Sequence, residues 1–347
     1  MRITVLMGGT SSERDVSLAS GLRIAEALRT RGHTVKAVDT AKGPITEAEE
    51  RRLLADGVVK TTPPTPEELA RMKAMSLEET AAKLPKRGDC DVVFLALHGG
   101  SGEDGTIQAL LDLAGVPYTG SGHLASALAM DKDLSKDLLR AHGVRTADWL
   151  MASARARQPT QDEVERNLGW PVIVKPSKQG STVGLSIVKQ PNELDAAITE
   201  AFNHDDEVMI ERFIAGRELS VPVIGGDVLP VGEIIPKHEI YDYECKYTPG
   251  MAEELFPAPL SAAETAEVQS QAQRAFAALK LSGCARIDFR MTASGEFYCL
   301  EANTLPGMTA TSLVPQSAAA AGVSFPDLCE RIARLAVGPS AADAGRP

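Results

Sequence analysis

Aromatic side chains are scarce in this sequence: Phe, Trp and Tyr together make up 4% of 347 residues. Any core must therefore be filled by Leu, Val, Ile and Ala, within a hydrophobic content of 44%. Long apolar runs are missing, and none approaches the roughly 20 residues of a membrane span. The opening MRITVLMGG is too short for a secretory signal. The expectation is a cytoplasmic chain with no membrane partner. The five cysteines (Cys90, Cys245, Cys284, Cys299 and Cys329) are scattered, with no CxxC pair. An odd, unpatterned set points to reduced thiols and away from a zinc site or a disulfide framework. Positive charge is also in deficit: 36 Lys and Arg against 47 Asp and Glu leave a formal net charge of -11. That argues against a general nucleic-acid or anionic-membrane binder but leaves room for a local basic pocket around phosphate. No internal repeat is present. The length suits two or three domains better than one.

What is present begins with an α/β pattern. ITVLMGG reads as a buried strand ending in glycines. A helix is expected over Ser17–Arg31, with Leu18, Leu22, Ala25 and Leu28 at helical spacing and Gly32 as its C-cap. Strands at His33–Val38 and Asp91–Leu97 complete a parallel-sheet unit. The polar stretch from about Ala41 to Arg87 reads as a variable insertion. Two loops, GGTSSERDVS and HGGSGEDG, follow strand ends, where α/β sheets bind ligands. Neither is GxGxxG, so no dinucleotide site is implied. Glu13 could hold a ligand ammonium or simply charge the first turn of its helix. His98 is either a loop histidine or a group facing substrate.

MDKDLSKDLLRAHGV is a charged amphipathic helix with Lys132 near its start, unfavourable for the helix dipole and so either solvent-exposed or employed elsewhere. In WPVIVKPSKQGSTVGLSIV, strands at Val172–Lys175 and Gly184–Val188 flank a loop with Lys178, Gly180, Ser181 and Thr182. Small residues there would let backbone N–H groups approach phosphate oxygens. The loop lacks the Walker spacing, and an ordinary hairpin loop is the alternative. A strand at Val208–Phe213 leads into IAGRELS, where Glu211 and Glu218 flank a short connector.

Further on, Glu218–Val223 and Val228–Ile235 alternate around Gly225-Gly226-Asp227 as a hairpin. The long loop IYDYECKYTPGMAEELFPAP carries Tyr241, Tyr243, Lys246 and Tyr247, a composition that suits an ordered lid. A helix over about Ala262–Leu281 precedes RIDFRMTASGEFYCLEAN. Strands at Ala285–Met291 and Glu296–Ala302 read as a second hairpin, and a two-residue Ser294-Gly295 turn would put Asp288 opposite Glu301 and Arg286 opposite Asn303. Facing carboxylates invite a cation, and oxygen ligands suit Mg²⁺. A solvated acidic face is the alternative, and an odd turn would send Glu301 to the other face. Gly307 then permits a tight turn, and a helix starting near Ser312 would offer N–H groups to a carboxylate or phosphate.

Taken together, MGGTSSERDVSLASG, LALHGGSGEDGTIQ, MDKDLSK, VIVKPSKQGSTVG, YDYECKYTPG, RIDFR and LEANTLPGMTATSLVP resemble the D-alanine–D-alanine ligases of the ATP-grasp superfamily, nearly end to end. The resemblance implies a three-domain ATP-grasp ligase of α/β and α+β class: an N-terminal parallel-sheet substrate domain at 1–122, a central ATP-grasp domain at 123–216 and a C-terminal catalytic domain at 217–347, the last two clasping ATP. It implies two Mg²⁺ ions, or Mn²⁺ in their place, and a homodimer. By the same resemblance, Asp288, Glu301 and Asn303 would bind the metal, and Lys132, Lys175 and Lys246 the phosphates. Glu211 and the backbone at Phe213 and Ile214 would hold adenine, and Glu218 the ribose. Glu13 would take the first D-alanine ammonium, with Ser181 and Tyr247 linked to it. Arg286 and Gly307 would stabilise an oxyanion, and Ser312 and Leu313 would take the second D-alanine carboxylate, with His98 on the substrate side. The implied reaction is ATP-dependent formation of D-alanyl-D-alanine through an acyl phosphate, for peptidoglycan precursor synthesis. The alternatives are a ligase with D-serine or D-lactate as acceptor, and a catalytically silent ATP-binding regulator.

Overall fold

The computed structural model describes residues 1–56, 80–180, 182–241, 245, 246, 248 and 250–338, and in them the chain builds three sheets. In the first, β2 (Thr34–Asp39), β1 (Arg2–Met7) and β4 (Val92–Leu95) run parallel in that order, and β3 (Gly43–Pro44) pairs antiparallel with β2. After its first residue β1 is buried throughout, as a central strand covered on both faces must be. Helix α1 (Arg14–Thr30) buries Leu18, Leu22, Ala25 and Leu28 against it, one helical stripe. The expected insertion contains α2 (Glu47–Asp56), tied back by Arg29, which donates to Glu50 at 2.6 and 2.9 Å. Helix α3 (Thr106–Ala114) follows β4 and its glycine-rich loop.

Helices α4 (His123–Met130) and α5 (Lys132–Ala141) lead to the second sheet, antiparallel in the order β5 (Trp149–Ser153), β8 (Glu207–Arg212), β6 (Val172–Pro176), β7 (Ser186–Val188). Its core is closed by α6 (Gln161–Asn167), which begins with a Thr160/Glu163 capping box, and by α7 (Leu194–Phe202). The third sheet runs β12 (Ala252–Leu255), β11 (Gly232–Pro236), β9 (Arg217–Ile224), β13 (Cys284–Met291), β14 (Phe297–Asn303), with β10 (Asp227–Val228) paired to β9. Helix α8 (Ala262–Ala278), opened by a Ser261/Glu264 capping box, lies on it. So do α4 and α5: Ala125, Ala129 and Leu139 share a core with Val221, Ile287 and Phe289. The last helices, α9 (Leu313–Ala320) and α10 (Phe325–Val337), close the core of the first sheet, with Val314, Leu328 and Ile332 among Leu18, Leu22 and Phe94.

The β13–β14 hairpin pairs Asp288 with Glu301 and Arg286 with Asn303, by a route other than the expected turn. Met291 faces Phe297, so residues 292–296 make an odd connection rather than a two-residue turn. Alone, that would put Glu301 on the wrong face. The register shifts between Asp288 and Phe289, which pairs with Cys299, leaving Leu300 as an extra residue. This one-residue bulge restores the pairing.

Candidate active site

Between the second and third sheets lies a cavity lined by Lys132, Lys175, Glu211, Phe213, Ile214, Glu218, Lys246, Arg286, Asp288, Glu301 and Leu313, so eleven of the expected site residues share one space. Each is placed by its element. Asp131 caps α5 by accepting from Leu134 N at 3.1 Å, which sets Lys132 as the first helical residue. Buried there, Lys132 Nζ donates to the Gln179 carbonyl at 2.7 Å and stands 3.5 Å from Glu301 Oε2. Burial lowers its pKa, although Glu301 opposes the shift.

Lys175 on β6 and Glu211 on the neighbouring β8 point to the same side, with Nζ to Oε2 at 2.7 Å. The other Glu211 oxygen accepts from Lys136, one turn beyond Lys132 on α5. Lys136 is 1% exposed and lies over the Trp149 ring at 4.7 Å. Burial pushes its ammonium down to about 8, against the pull of Glu211. Burial would raise Glu211, but Lys175 and Lys136 outweigh it and hold the carboxyl at about 2. Sequence reasoning passed over Lys136. The available signal was its i,i+4 spacing from Lys132, which places both on one helix face.

The connector after β8 is pinned at both ends. Phe213 N donates to the Pro171 carbonyl at 3.2 Å. Gly216 has φ +144, and a Cβ there would sit 2.0 Å from the Met291 carbonyl oxygen, so only glycine lets the connector cross β13 this closely. Glu218 is engaged by Arg290 at 2.9 Å, a partner the sequence did not suggest, and burial raises its pKa despite that arginine. In the glycine-rich loop, Thr182 Oγ1 is shielded from solvent with no hydrogen-bond partner among the described residues, an unmet polar atom in the cavity wall. Lys246 lies over the Tyr241 ring at 5.6 Å, and Tyr241 donates to Glu254 at 2.8 Å. Ser181 and Tyr247 fall outside the described residues, as do Asp242, Tyr243, Glu244 and Pro249 of the expected lid.

On the hairpin, Arg286 clasps Asp288 with Nε at 2.9 and 3.1 Å and Nη2 at 2.8 Å, and Ser220 Oγ donates to Asp288 at 2.9 Å. Burial works against the Arg286 charge, but Asp288 and Glu301 outweigh it and raise the pKa. For Glu301, burial is likewise outweighed, by Lys132, Lys246, Lys175 and Arg286, and the carboxyl falls to about 2. Among the described residues no three His, Cys, Asp or Glu side chains gather as a metal cluster. The donors at this spot are two carboxylates and the Asn303 amide, whose oxygen accepts from Leu305 N at 3.1 Å. An all-oxygen set with few protein ligands fits Mg²⁺, which completes its shell with water and phosphate.

A smaller cavity joins the first and shares Lys246 and Arg286 with it. It is lined by Glu13, His98, Glu103, Asn303, Gly307, Ser312 and Leu313. Glu13 is buried where α1 begins, and the glycine-rich loop reaches it: a Cβ on Gly180 would stand 3.5 Å from Glu13 Oε2. His98 is buried, with Nδ1 3.9 Å from Glu103 and Nε2 3.4 Å from Ser20 Oγ. Burial lowers its pKa, but Glu103 and Glu13 more than compensate. Glu103, itself buried and raised by burial, is a second residue the sequence reading missed, although it stands in HGGSGEDG five positions after His98. Ser312 caps α9 without bonding its own helix: its hydroxyl accepts from Thr309 N at 2.9 Å and meets Thr309 Oγ1 at 2.8 Å. That hydroxyl occupies the space beside Gly307, where a Cβ would lie 2.7 Å from Ser312 Oγ.

The arrangement therefore offers a cationic cavity for polyphosphate, oxygen ligands for a hard cation, and an adjoining polar chamber with a carboxylate at one end and a helix N-terminus at the other. Comparison with known proteins gives a consistent picture. The D-ala D-ala ligase N-terminus family model matches residues 2–121, and the D-ala D-ala ligase C-terminus model matches 138–334. The D-alanine–D-alanine ligase of Syntrophotalea carbinolica is 44% identical over 331 residues, 95% of this chain and 94% of the relative. Among solved structures, D-alanine–D-alanine ligase from Bacillus anthracis complexed with ATP has a TM-score of 0.74 at 32% identity, covering 97% of each chain. VanG D-Ala:D-Ser ligase from Enterococcus faecalis has a TM-score of 0.78 at 30% identity, covering 95% of this chain and 98% of that one.

Proposed function

The chain belongs to the D-alanine–D-alanine ligase family, and from that premise we propose how its residues divide the reaction among them. The protein is an ATP-dependent ligase that joins two D-alanine molecules to D-alanyl-D-alanine through an acyl phosphate, for peptidoglycan precursor synthesis. The observation that carries the assignment of roles is the junction of the two cavities at Arg286, with cations on one side and Glu13 and α9 on the other.

In this reading Lys132, Lys175 and Lys246 bind the triphosphate, Glu211 and the backbone of Phe213 and Ile214 hold adenine, and Glu218 turns from Arg290 to the ribose. Asp288, Glu301 and Asn303 hold Mg²⁺, which when bound neutralises phosphate charge. Glu13 binds the ammonium of the first D-alanine and so aims its carboxylate at the γ-phosphorus, which it attacks to give the acyl phosphate and ADP. The N-terminus of α9, at Ser312 and Leu313, orients the second D-alanine by its carboxylate. Its free amine attacks the acyl carbonyl, and phosphate leaves. Arg286 and the Gly307 N–H stabilise the oxyanion between these events. His98, whose Nδ1 stands 3.9 Å from Glu103, and Tyr247 are the two candidates for taking the proton from the attacking amine. Ser181 and Tyr247 link the glycine-rich loop and the lid to Glu13, excluding water from the acyl phosphate. A domain division near 122 and 216, a homodimer and a cytoplasmic setting complete the reading, and light scattering on the purified chain tests the dimer.

Phosphate release from ATP tests the function directly, with D-alanine alone and then with added D-serine or D-lactate. Release with D-alanine alone and a D-alanyl-D-alanine product is expected. Release that needs D-serine would move the chain to the specificity named for the Enterococcus relative. ATP binding without release under any condition would make it a silent nucleotide binder.

A further inference from the structure

Three charges meet in the wall of the nucleotide cavity, and they do not cancel. Glu211 receives one ammonium on each oxygen, Lys136 on Oε1 and Lys175 on Oε2. All three side chains are withdrawn from water, at 1% exposure for Lys136, 4% for Glu211 and 11% for Lys175. Lys175 and Glu211 line the cavity, whereas Lys136 stands behind them, against the Trp149 ring. Arg140 lies over the same ring at 4.4 Å, but its guanidinium is paired with Asp148 at 2.6 Å and adds no unpaired charge behind Glu211. Lys136 is therefore too deep to touch a nucleotide, yet it controls the group that faces one.

A buried carboxylate with a single ammonium partner forms a neutral pair that is costly to break, because either charge would be left alone in a poor solvent. A carboxylate shared by two ammoniums holds each less firmly, and the trio keeps one surplus positive charge. We propose that Lys136 is a positioning residue of the nucleotide site, fixing one oxygen of Glu211 from behind so that Lys175 can turn to the incoming phosphates without leaving Glu211 unpaired. The surplus charge is what an arriving polyphosphate neutralises. Attraction to Glu211 also keeps Lys136 itself charged against the effect of burial. This inference rests on the nucleotide-binding reading of the cavity.

The test replaces Lys136 with Met, which keeps the length of the side chain and removes its charge. With Glu211 closed on Lys175 alone, the Kd of a non-hydrolysable ATP analogue and the KM for ATP should rise about ten- to a hundredfold, the range of one charged hydrogen bond. The KM for D-alanine should hold, and kcat at saturating ATP should stay within about threefold. Lys136→Arg should restore most of the lost analogue affinity. In a Glu211→Gln background, adding Lys136→Met should change analogue affinity by less than about twofold, because the shared carboxylate is already gone. Should the Met variant fail to fold, Lys136→Gln, which keeps a donor but no charge, carries the same comparison. Unchanged analogue affinity in Lys136→Met would overturn the proposal. So would equal losses in kcat and D-alanine KM with no selectivity for ATP, the mark of a packing defect. A wild-type protein that does not bind the analogue would instead overturn the nucleotide reading itself.

Discussion

Replacing Glu211 by Gln is nearly isosteric, and it leaves Lys136 and Lys175 facing each other with no anion between them. The magnitude can be approached from two sides. The carboxyl sits at about 2 against an ordinary 4.5, with burial pushing it up and the two lysines more than reversing that. The difference corresponds to about 3 kcal/mol in favour of the charged, folded state. From the other side, a stranded Lys136 need not stay charged. Burial already holds that ammonium at about 8, so shedding its proton at pH 7 adds only about 1–2 kcal/mol to the loss. A destabilisation of about 3–5 kcal/mol follows, in line with buried ion pairs that lose one partner. For 347 residues that is a Tm about 4–7 °C lower. Because the folded pKa of Glu211 is depressed, its contribution is complete above the ordinary value and is lost as the pH falls from 4.5 towards 2. Ligand-free wild type and Glu211→Gln, compared by thermal and urea unfolding from pH 7 to pH 3.5, should therefore differ by a constant amount down to about pH 5 and converge below it. A gap under about 1 kcal/mol at pH 7, or one that persists unchanged to pH 3.5, would refute the shared-anion argument.

Three further substitutions probe the rest of the site. Gly307→Ala puts a Cβ 2.7 Å from Ser312 Oγ; displacing that hydroxyl from Thr309 should cost about 1–2 kcal/mol locally and raise the KM of the second D-alanine several-fold, read from initial rates at saturating ATP. An unchanged D-alanine profile would show that the turn before α9 tolerates the methyl. Glu301→Gln should leave the circular dichroism spectrum intact while turnover falls by two orders of magnitude or more, about the scale of losing one electrostatic group at the reacting centre; full activity at limiting Mg²⁺ would remove Glu301 from the metal set. Arg286→Ala should lower kcat about 10²–10³-fold with a smaller effect on ATP KM, and near-normal turnover would end its role at the oxyanion.

Much of the fold was legible because its signals are local. Buried β1, the Leu18–Leu22–Leu28 stripe and the Ser312 helix start each depend on residues within a turn or two of one another. The family motifs are local too, and they named eleven residues that one cavity gathers. What the sequence could not show is which distant groups share a charge. Lys136 and Glu211 are 75 positions apart, and Arg290 and Glu218 meet only because β9 and β13 are neighbours in register. Burial, which makes such pairs matter, is a property of the packed sheets. The packing of α4 and α5 on the third sheet and of α10 beside α1 was likewise decided by which apolar faces met.

The Asp288–Glu301 hairpin divides the two kinds of information most sharply. Residue pattern alone settles that two strands meet there, that acids alternate onto one face, and that Arg286 and Asn303 travel with them. It did not determine the register, because an odd connection and a bulge at Leu300 cancel one another, and each shifts the face by one residue. Packing makes that choice. Phe289, Phe297 and Cys299 are buried in the core, and the pairing that keeps them there holds the distal register, while the bulge at Leu300 returns both acids to the cavity.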